Sequence, residues 1–297
     1  MAASIPVVMH PSPNHGPRLE GVPVDILLVH YTGMPTGREA LERLCDPAAQ
    51  VSAHYLIEED GTVHRLVDED KRAWHAGVSA WAGEEDINSC SIGVEIINRG
   101  HDWGYPDFPL RQIAAVIALC RGIMLRRRVA PHRVLGHSDV APGRKKDPGE
   151  KFPWHSLANS GVGHWVQPAP IVRGDALQLG AISDNVSNMQ AAFRRYGYNI
   201  PTNGKFDGPT MEVVTAFQRH FRPERVDGIA VDEDRHLHEV ALAVIHDVVV
   251  EGGITLGDRL QPVVEIEDHF VERQLISDHR ALADVSEFGL DAAPVLA

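Results

Sequence analysis

The aliphatic stretch Val24 to Val29 ends in His30, and an apolar run of strand length predicts a buried central strand with the histidine at the sheet edge. Ala53 to Ile57 and Thr62 to Val67 flank the turn residues Asp60 and Gly61, the pattern of a hairpin. Ser91 to Ile97 sets Ile92, Val94, Ile96 and Ile97 around Glu95, a strand on which a carboxylate needs a reason to sit. From Leu110 to Arg127, the residues Ile113, Val116, Ile117, Cys120, Ile123 and Met124 recur at helical spacing behind Pro109, which predicts an amphipathic helix covering the sheet. Val134 to Ser138 reads as a short strand, followed by the irregular loop Asp139 to Gly149 with two Pro and two Gly. Loops that leave a strand in this way are where functional groups gather.

Gly161 to Gly174 mixes Gly, Pro and Trp and breaks the pattern, which sets a domain boundary near residue 168. Beyond it, Val186 to Tyr196 carries Met189, Ala192, Phe193 and Tyr196 on one helical face, and Thr210 to His220 carries Val213, Val214 and Phe217. The turn segment Asn203 to Gly208 separates the two, and a third helical pattern runs from Asp232 to Val250. The expected organisation is an α/β domain over 1–167, a small three-helix domain over 168–252 and a tail over 253–297, with no internal repeat.

Composition narrows the classes. The 297 residues are 43% hydrophobic and 23% charged, close to globular averages, so neither wholesale disorder nor a fibrous repeat is expected. A net charge of −13 disfavours nucleic acid as a partner, because wrapping phosphate needs clustered Lys and Arg. Residues 251 to 297 carry ten acidic side chains against three Arg, a net of −7, so the tail is chemically distinct from the body. Cys45, Cys90 and Cys120 match neither a disulfide framework nor a zinc knuckle and read as reduced, buried small residues. No stretch approaches the roughly 20 apolar residues of a membrane span, and Met1 to Pro13 lacks a basic start, an apolar core and a cleavage site. The expectation is a cytoplasmic chain, or a periplasmic or cell-envelope one if a leader precedes this start.

The chemistry rests on three residues far apart in the chain. A catalytic zinc takes about three protein ligands from neutral imidazole and carboxylate and keeps one position open. His30, His137 and Asp147 meet that need if the strands ending near His30 and His137 are neighbours. Among 17 histidines, spacing by itself leaves a strand-end histidine an ordinary surface or hydrogen-bonded residue.

The segments Val29-His30-Tyr31-Thr32, Ser52-Ala53-His54-Tyr55, Ala73-Trp74-His75-Ala76-Gly77, Ser91-Ile92-Gly93-Val94-Glu95 and Gly136-His137-Ser138-Asp139 through Asp147-Pro148-Gly149 follow one another in an order that resembles the type 2 N-acetylmuramoyl-L-alanine amidases over about residues 20 to 160. The chain is similar within that family to the AmiD group, whose members carry a C-terminal peptidoglycan-binding-like helical module. Arg194-Arg195-Tyr196-Gly197-Tyr198 and Phe217-Gln218-Arg219-His220-Phe221-Arg222-Pro223 look like that module. The resemblance implies a mixed β-sheet flanked by helices with a groove along the strand ends. It implies one zinc per chain on His30, His137 and Asp147, with Glu95 as catalytic carboxylate and Lys145 as catalytic lysine. The implied reaction is hydrolysis of the amide between N-acetylmuramic acid and L-alanine in peptidoglycan or its anhydro-muropeptides. In such chemistry zinc polarises the scissile carbonyl and makes a nucleophilic water available near neutral pH. Glu95 would carry the proton to the leaving amine, and Lys145 would steady the oxyanion.

Neighbouring residues are assigned with their alternatives. Trp74 and His75 lie where a loop edges the groove, suited to substrate contact or to packing. His54 and His64 on the hairpin and an exposed His132 are not ligands, and Lys146 is a bystander. Asp139 reads equally as a partner to a metal histidine or as a turn cap. Asp86 stands where several relatives have a basic residue suited to a stem-peptide carboxylate, and no cysteine precedes Cys45 to take the lipid anchor typical of the AmiD group. A non-catalytic peptidoglycan recognition protein is the alternative class, which retention of all three ligands weighs against. A third, an acidic tail-driven interaction protein, would lose its function on deletion of 254–297. The oligomeric state is left open.

Overall fold

The computed structural model describes residues 7–167 and 176–230; the boundary near 168, the third helical pattern at 232–250 and the tail lie outside the described residues. The elements in chain order are β1 (Val7–Met9), β2 (His15–Pro17), β3 (Ile26–Tyr31), α1 (Gly37–Cys45), β4 (Tyr55–Ile57), β5 (Val63–Arg65), β6 (Lys71–Ala73), α2 (Ile87–Cys90), β7 (Ser91–Ile96), α3 (Leu110–Arg127), β8 (Val134–Gly136), α4 (His137–Val140), α5 (Trp154–Asn159), α6 (Asp184–Tyr196) and α7 (Gly208–Phe221). Six strands form a mixed sheet in the order β1-β5-β4-β7-β3-β8, and β2 pairs with β6 apart from it. Among the described residues only the β4–β5 hairpin is antiparallel in the large sheet, its turn held by Thr62 N donating to Asp60 Oδ1.

The aliphatic strand begins at Ile26 rather than Val24, because the charged Asp25 stays outside the sheet and pairs with Arg133 at 2.7 Å. From there successive side chains alternate between faces. Leu27 and Val29 of β3 and Ile92, Val94 and Ile96 of β7 pack with α3 residues such as Val116, Cys120 and Ile123. Ile26 and Leu28 point to the opposite face. On β7 that opposite face carries Ser91, Gly93 and Glu95, so Glu95 sits on a polar stripe behind an apolar one.

The opposite face is covered by the helical segment. Ile26, Leu28, Trp81, Ile87, Leu135 and Val140 form one buried cluster with Val186, Phe193, Tyr198, Val213 and Phe217, so both halves of the chain share a core. Trp81 is 1% exposed and meets the rings of Tyr196 and Tyr198 at 5.3 and 4.9 Å. The helices there are defined locally: Ser183 caps α6 through Val186 N, and Asp207 caps α7 through Thr210 N with Pro209 in the first turn.

Two short-range expectations are corrected. His137 and Ser138 open the helical turn α4 instead of ending a strand, since the Asp139 carboxylate accepts from Gly136 N at 2.8 Å and turns the chain there. His132 lies in a 3-10 turn, Pro131–Arg133, and is half-buried rather than exposed. Cys90 and Cys120 are buried and Cys45 is partly exposed; all three are free thiols. No helix among the described residues is long and apolar enough to cross a membrane.

Candidate metal centre

Parallel pairing brings the functional positions to one level of the sheet. His30 pairs with Glu95 across β3 and β7, while Val29 pairs with Gly136 across β3 and β8, which sets His137 beside His30. Paired residues of adjacent strands share a face. The loop after α4 returns Asp147 to the same place, and Ser138 N donates to the Asp147 carbonyl at 2.9 Å to hold it there. His30 Nδ1 lies 2.9 Å from His137 Nδ1 and 3.1 Å from Asp147 Oδ2, and the last pair is 3.0 Å apart. All three side chains are buried, and together they form a group that could hold a metal ion.

The partners behind these atoms decide which nitrogens carry protons. Ser91 Oγ donates to the Ile87 carbonyl and accepts from His75 Nε2 at 3.4 Å. His75 Nδ1 accepts from His30 Nε2 at 3.1 Å. On the other imidazole, His137 Nε2 lies 2.9 Å from the Ala76 carbonyl, which can only accept and so calls for the proton on that nitrogen, while Arg144 Nη2 stands farther off at 3.3 Å and spends its own protons on the Ala76 and Val78 carbonyls. Both rings therefore turn an unprotonated Nδ1 inward. Two imidazole lone pairs and a carboxylate oxygen then face one another with no proton among them, a donor set that fits a divalent cation and little else. Four-coordinate zinc at about 2.0–2.2 Å from its ligands spaces them by roughly 3.3–3.6 Å, close to the spacing found.

The electrostatics agree. Burial pulls His30 down to about 4, helped by the neighbouring His137, which keeps the ring neutral. Burial by itself would raise Asp147, but the two imidazoles it faces, His137 before His30, outweigh it and hold the carboxyl well below its usual range, so that it stands ionised beside their lone pairs. Glu95 moves the other way: burial first and the Asp147 charge second push it up to about 8, against the opposing charge of Lys145. Its Oε2 is a buried acceptor without a hydrogen-bond partner among the described residues.

The centre opens into a pocket of about 510 Å³ lined by Trp74, His75, Glu95, Lys145 and the three ligand candidates, among others. The three metal-ligand candidates, Glu95, Lys145, Trp74 and His75 thus all line this pocket, and so does Lys146, which the sequence pattern set aside. Lys145 is half-buried whereas Lys146 is exposed. His75 lies behind His30, its ring admitted because residue 93 is glycine; a Cβ at Gly93 would collide with that ring at 2.5 Å. His54 is buried, accepting from Gly93 N through Nδ1, and His64 pairs with Glu58. Asp86 is matched by Arg72 at 2.7 Å and Ser89 at 2.8 Å, so its charge is already answered. Asp139 caps the turn and makes no bond to either ligand ring. Sequence reasoning assigned no role to Arg144, whose guanidinium donates to the carbonyls of Ala76 and Val78, both at 2.6 Å, and so braces the carbonyl that orients His137. Backbone acceptors leave no mark in a sequence, and no signal there could have found this contact.

Residues 20–150 match the family described as N-acetylmuramoyl-L-alanine amidase, and residues 183–230 match a putative peptidoglycan binding domain. The chain is 34% identical over 231 residues to N-acetylmuramoyl-L-alanine amidase AmiD of Escherichia coli, covering 74% of this chain and 82% of that protein. The solved structure of Escherichia coli AmiD with the substrate anhydro-N-acetylmuramic acid-L-Ala-D-gamma-Glu-L-Lys superposes with a TM-score of 0.63 at 32% identity, over 76% of this chain and 92% of that one. AmpDh3 from Pseudomonas aeruginosa in complex with anhydromuramic pentapeptide gives a TM-score of 0.58 at 34% identity, over 72% and 89% of the two chains.

Proposed function

This chain belongs to the N-acetylmuramoyl-L-alanine amidase family, and from that premise we propose that it is a zinc enzyme cutting the amide between the lactyl group of N-acetylmuramic acid and L-alanine. Its substrates on this reading are peptidoglycan and its anhydro-muropeptide fragments, the ligand class of the related AmiD and AmpDh3 structures. The supporting observation is the inward-facing set of His30 Nδ1, His137 Nδ1 and Asp147 Oδ2 at the floor of an open pocket. On this reading residues 1–167 carry the hydrolytic site and residues 168–252 grip the polymer.

His30, His137 and Asp147 would hold one zinc. When bound, zinc supplies Lewis acidity toward the scissile carbonyl and makes a nucleophilic water available at neutral pH. Glu95, raised to about 8, both accepts and returns a proton near neutral pH, the property wanted of a group that takes the water's proton and delivers it to the alanine amine. Its free Oε2 is ready to do so without first breaking a bond. Lys145 lies close enough for its charge to act on Glu95 and His30, where it would steady negative charge on the carbonyl oxygen; losing such a donor costs on the order of 3 kcal/mol of barrier. Trp74 offers an aromatic wall to the substrate, while His75 fixes the proton on His30.

The test is release of free stem peptide from anhydro-muropeptides and from sacculi. Chelator treatment should abolish it and stoichiometric zinc restore it, with Asp147→Ala inactive and unable to bind the metal. Full turnover without metal, or zinc bound equally well by Asp147→Ala, would sink this reading.

A further inference from the structure

One buried carboxylate joins the helical segment to the turn that carries His137. Asp139 is 1% exposed, and its two oxygens take three donors. Gly136 N and His220 Nδ1 reach Oδ2 at 2.8 Å each, and the Tyr198 hydroxyl reaches Oδ1 at 2.8 Å. The first bond fixes the junction where β8 ends at Gly136 and α4 begins at His137. The other two come from the far half of the chain, from the residues just after α6 and from the last turn of α7. An ionised carboxylate only accepts, so His220 carries its proton on Nδ1. The His220 ring is 2% exposed and lies flat against Trp154, 3.8 Å between centroids with 16° between planes, which leaves it little freedom.

The same helix meets the ligand loop twice more. Gly143 has φ +73°, and the space a Cβ would need there is taken by the Glu212 carboxylate. Arg219 Nε lies 3.7 Å from Glu150 Oε2. Residues 212, 219 and 220 fall on neighbouring positions of one helical face, and their contacts at 139, 143 and 150 bracket Lys145 and Asp147.

We infer that His220 and Tyr198 are positioning residues for the metal centre, clamping Asp139 so that the α4 turn points His137 at His30 and Asp147. Removing either donor leaves a buried carboxylate short of a partner, a cost large enough to shift the turn that it caps. The helical segment is then part of the hydrolytic machinery as well as a grip on the polymer. This inference rests on the reading of His137 as a zinc ligand.

The experiment uses the full chain with His220→Ala, Tyr198→Phe and His220→Asn, whose side-chain amide can take the place of Nδ1. Zinc affinity is read by competition with a chromophoric chelator, ligand geometry by the visible spectrum of the cobalt-loaded protein, and turnover by kcat and KM on anhydro-muropeptide. His220→Ala and Tyr198→Phe should bind zinc about 10- to 100-fold more weakly, shift the cobalt spectrum and lose kcat with KM little changed, and His220→Asn should recover most of each. If His220→Ala does not fold, Tyr198→Phe, which removes one oxygen atom, decides by itself. Variants that lose thermal stability but keep wild-type zinc affinity, spectrum and kcat overturn the inference. A wild-type chain that binds no zinc or cuts nothing overturns the proposed function and this inference with it, an outcome distinct from normal behaviour in the variants.

Discussion

Glu95 shows how far one position departs from its ordinary chemistry. On a solvated strand it would ionise near 4.5; here burial and the Asp147 charge push it up to about 8. Glu95→Gln, which keeps the shape and removes the proton shuttle, should lower kcat by about 10²- to 10⁴-fold while zinc content stays at the wild-type level. Loss of the metal together with the activity would instead make Glu95 a support for the site. The same shift has a consequence for stability in the chelator-treated protein. Because the folded value lies above the unfolded one, the neutral carboxyl's contribution is complete below about pH 4.5 and is lost as pH rises through 8. Urea denaturation of the metal-free chain should therefore show a decline across that window, on the order of 5 kcal/mol from this residue, that Glu95→Gln flattens. An unchanged slope in the variant would assign the decline to other groups.

At the scale of elements, the site is a product of register. Three parallel strands, β7, β3 and β8, bring Glu95, His30 and the start of α4 to one level, and a one-residue slip would send Glu95 into the apolar face under α3. Gly93 is the element-level counterpart of the metal site, since its missing side chain makes room for His75 behind His30. Gly93→Ala should destabilise the fold by roughly 1–3 kcal/mol and weaken zinc binding by about tenfold or more, measurable by urea titration and by chelator competition. Wild-type zinc affinity in that variant would show that His75 does not orient its neighbour. Much of this level was legible in the sequence: α3 runs over Leu110–Arg127 as its periodicity predicts, and the hairpin falls at Asp60 and Gly61. The start of α4 was not, because the bend after Gly136 depends on Asp139 and on what holds Asp139.

For the whole molecule, the decisive feature is a core shared between the sheet and the helical segment. Trp81, from a loop of the amidase half, is buried against Tyr196 and Tyr198 of the other. Trp81→Ala should cost roughly 3–5 kcal/mol, and far-UV circular dichroism and tryptophan fluorescence should still report a single coincident transition. Two separated transitions would mean that the halves fold independently. Periodicity is local and the motif segments stand in a fixed order, so the order of amino acids carried the family, the main strands and helices around the site, and seven candidate residues that all line the pocket. Which imidazole nitrogens turn inward, that Asp86 is already paired, and that Asp139 accepts from His220 and Tyr198 became visible in the folded chain alone. Those outcomes depend on backbone carbonyls and on side chains dozens of residues away, and nothing in the local order of amino acids records who their partners will be.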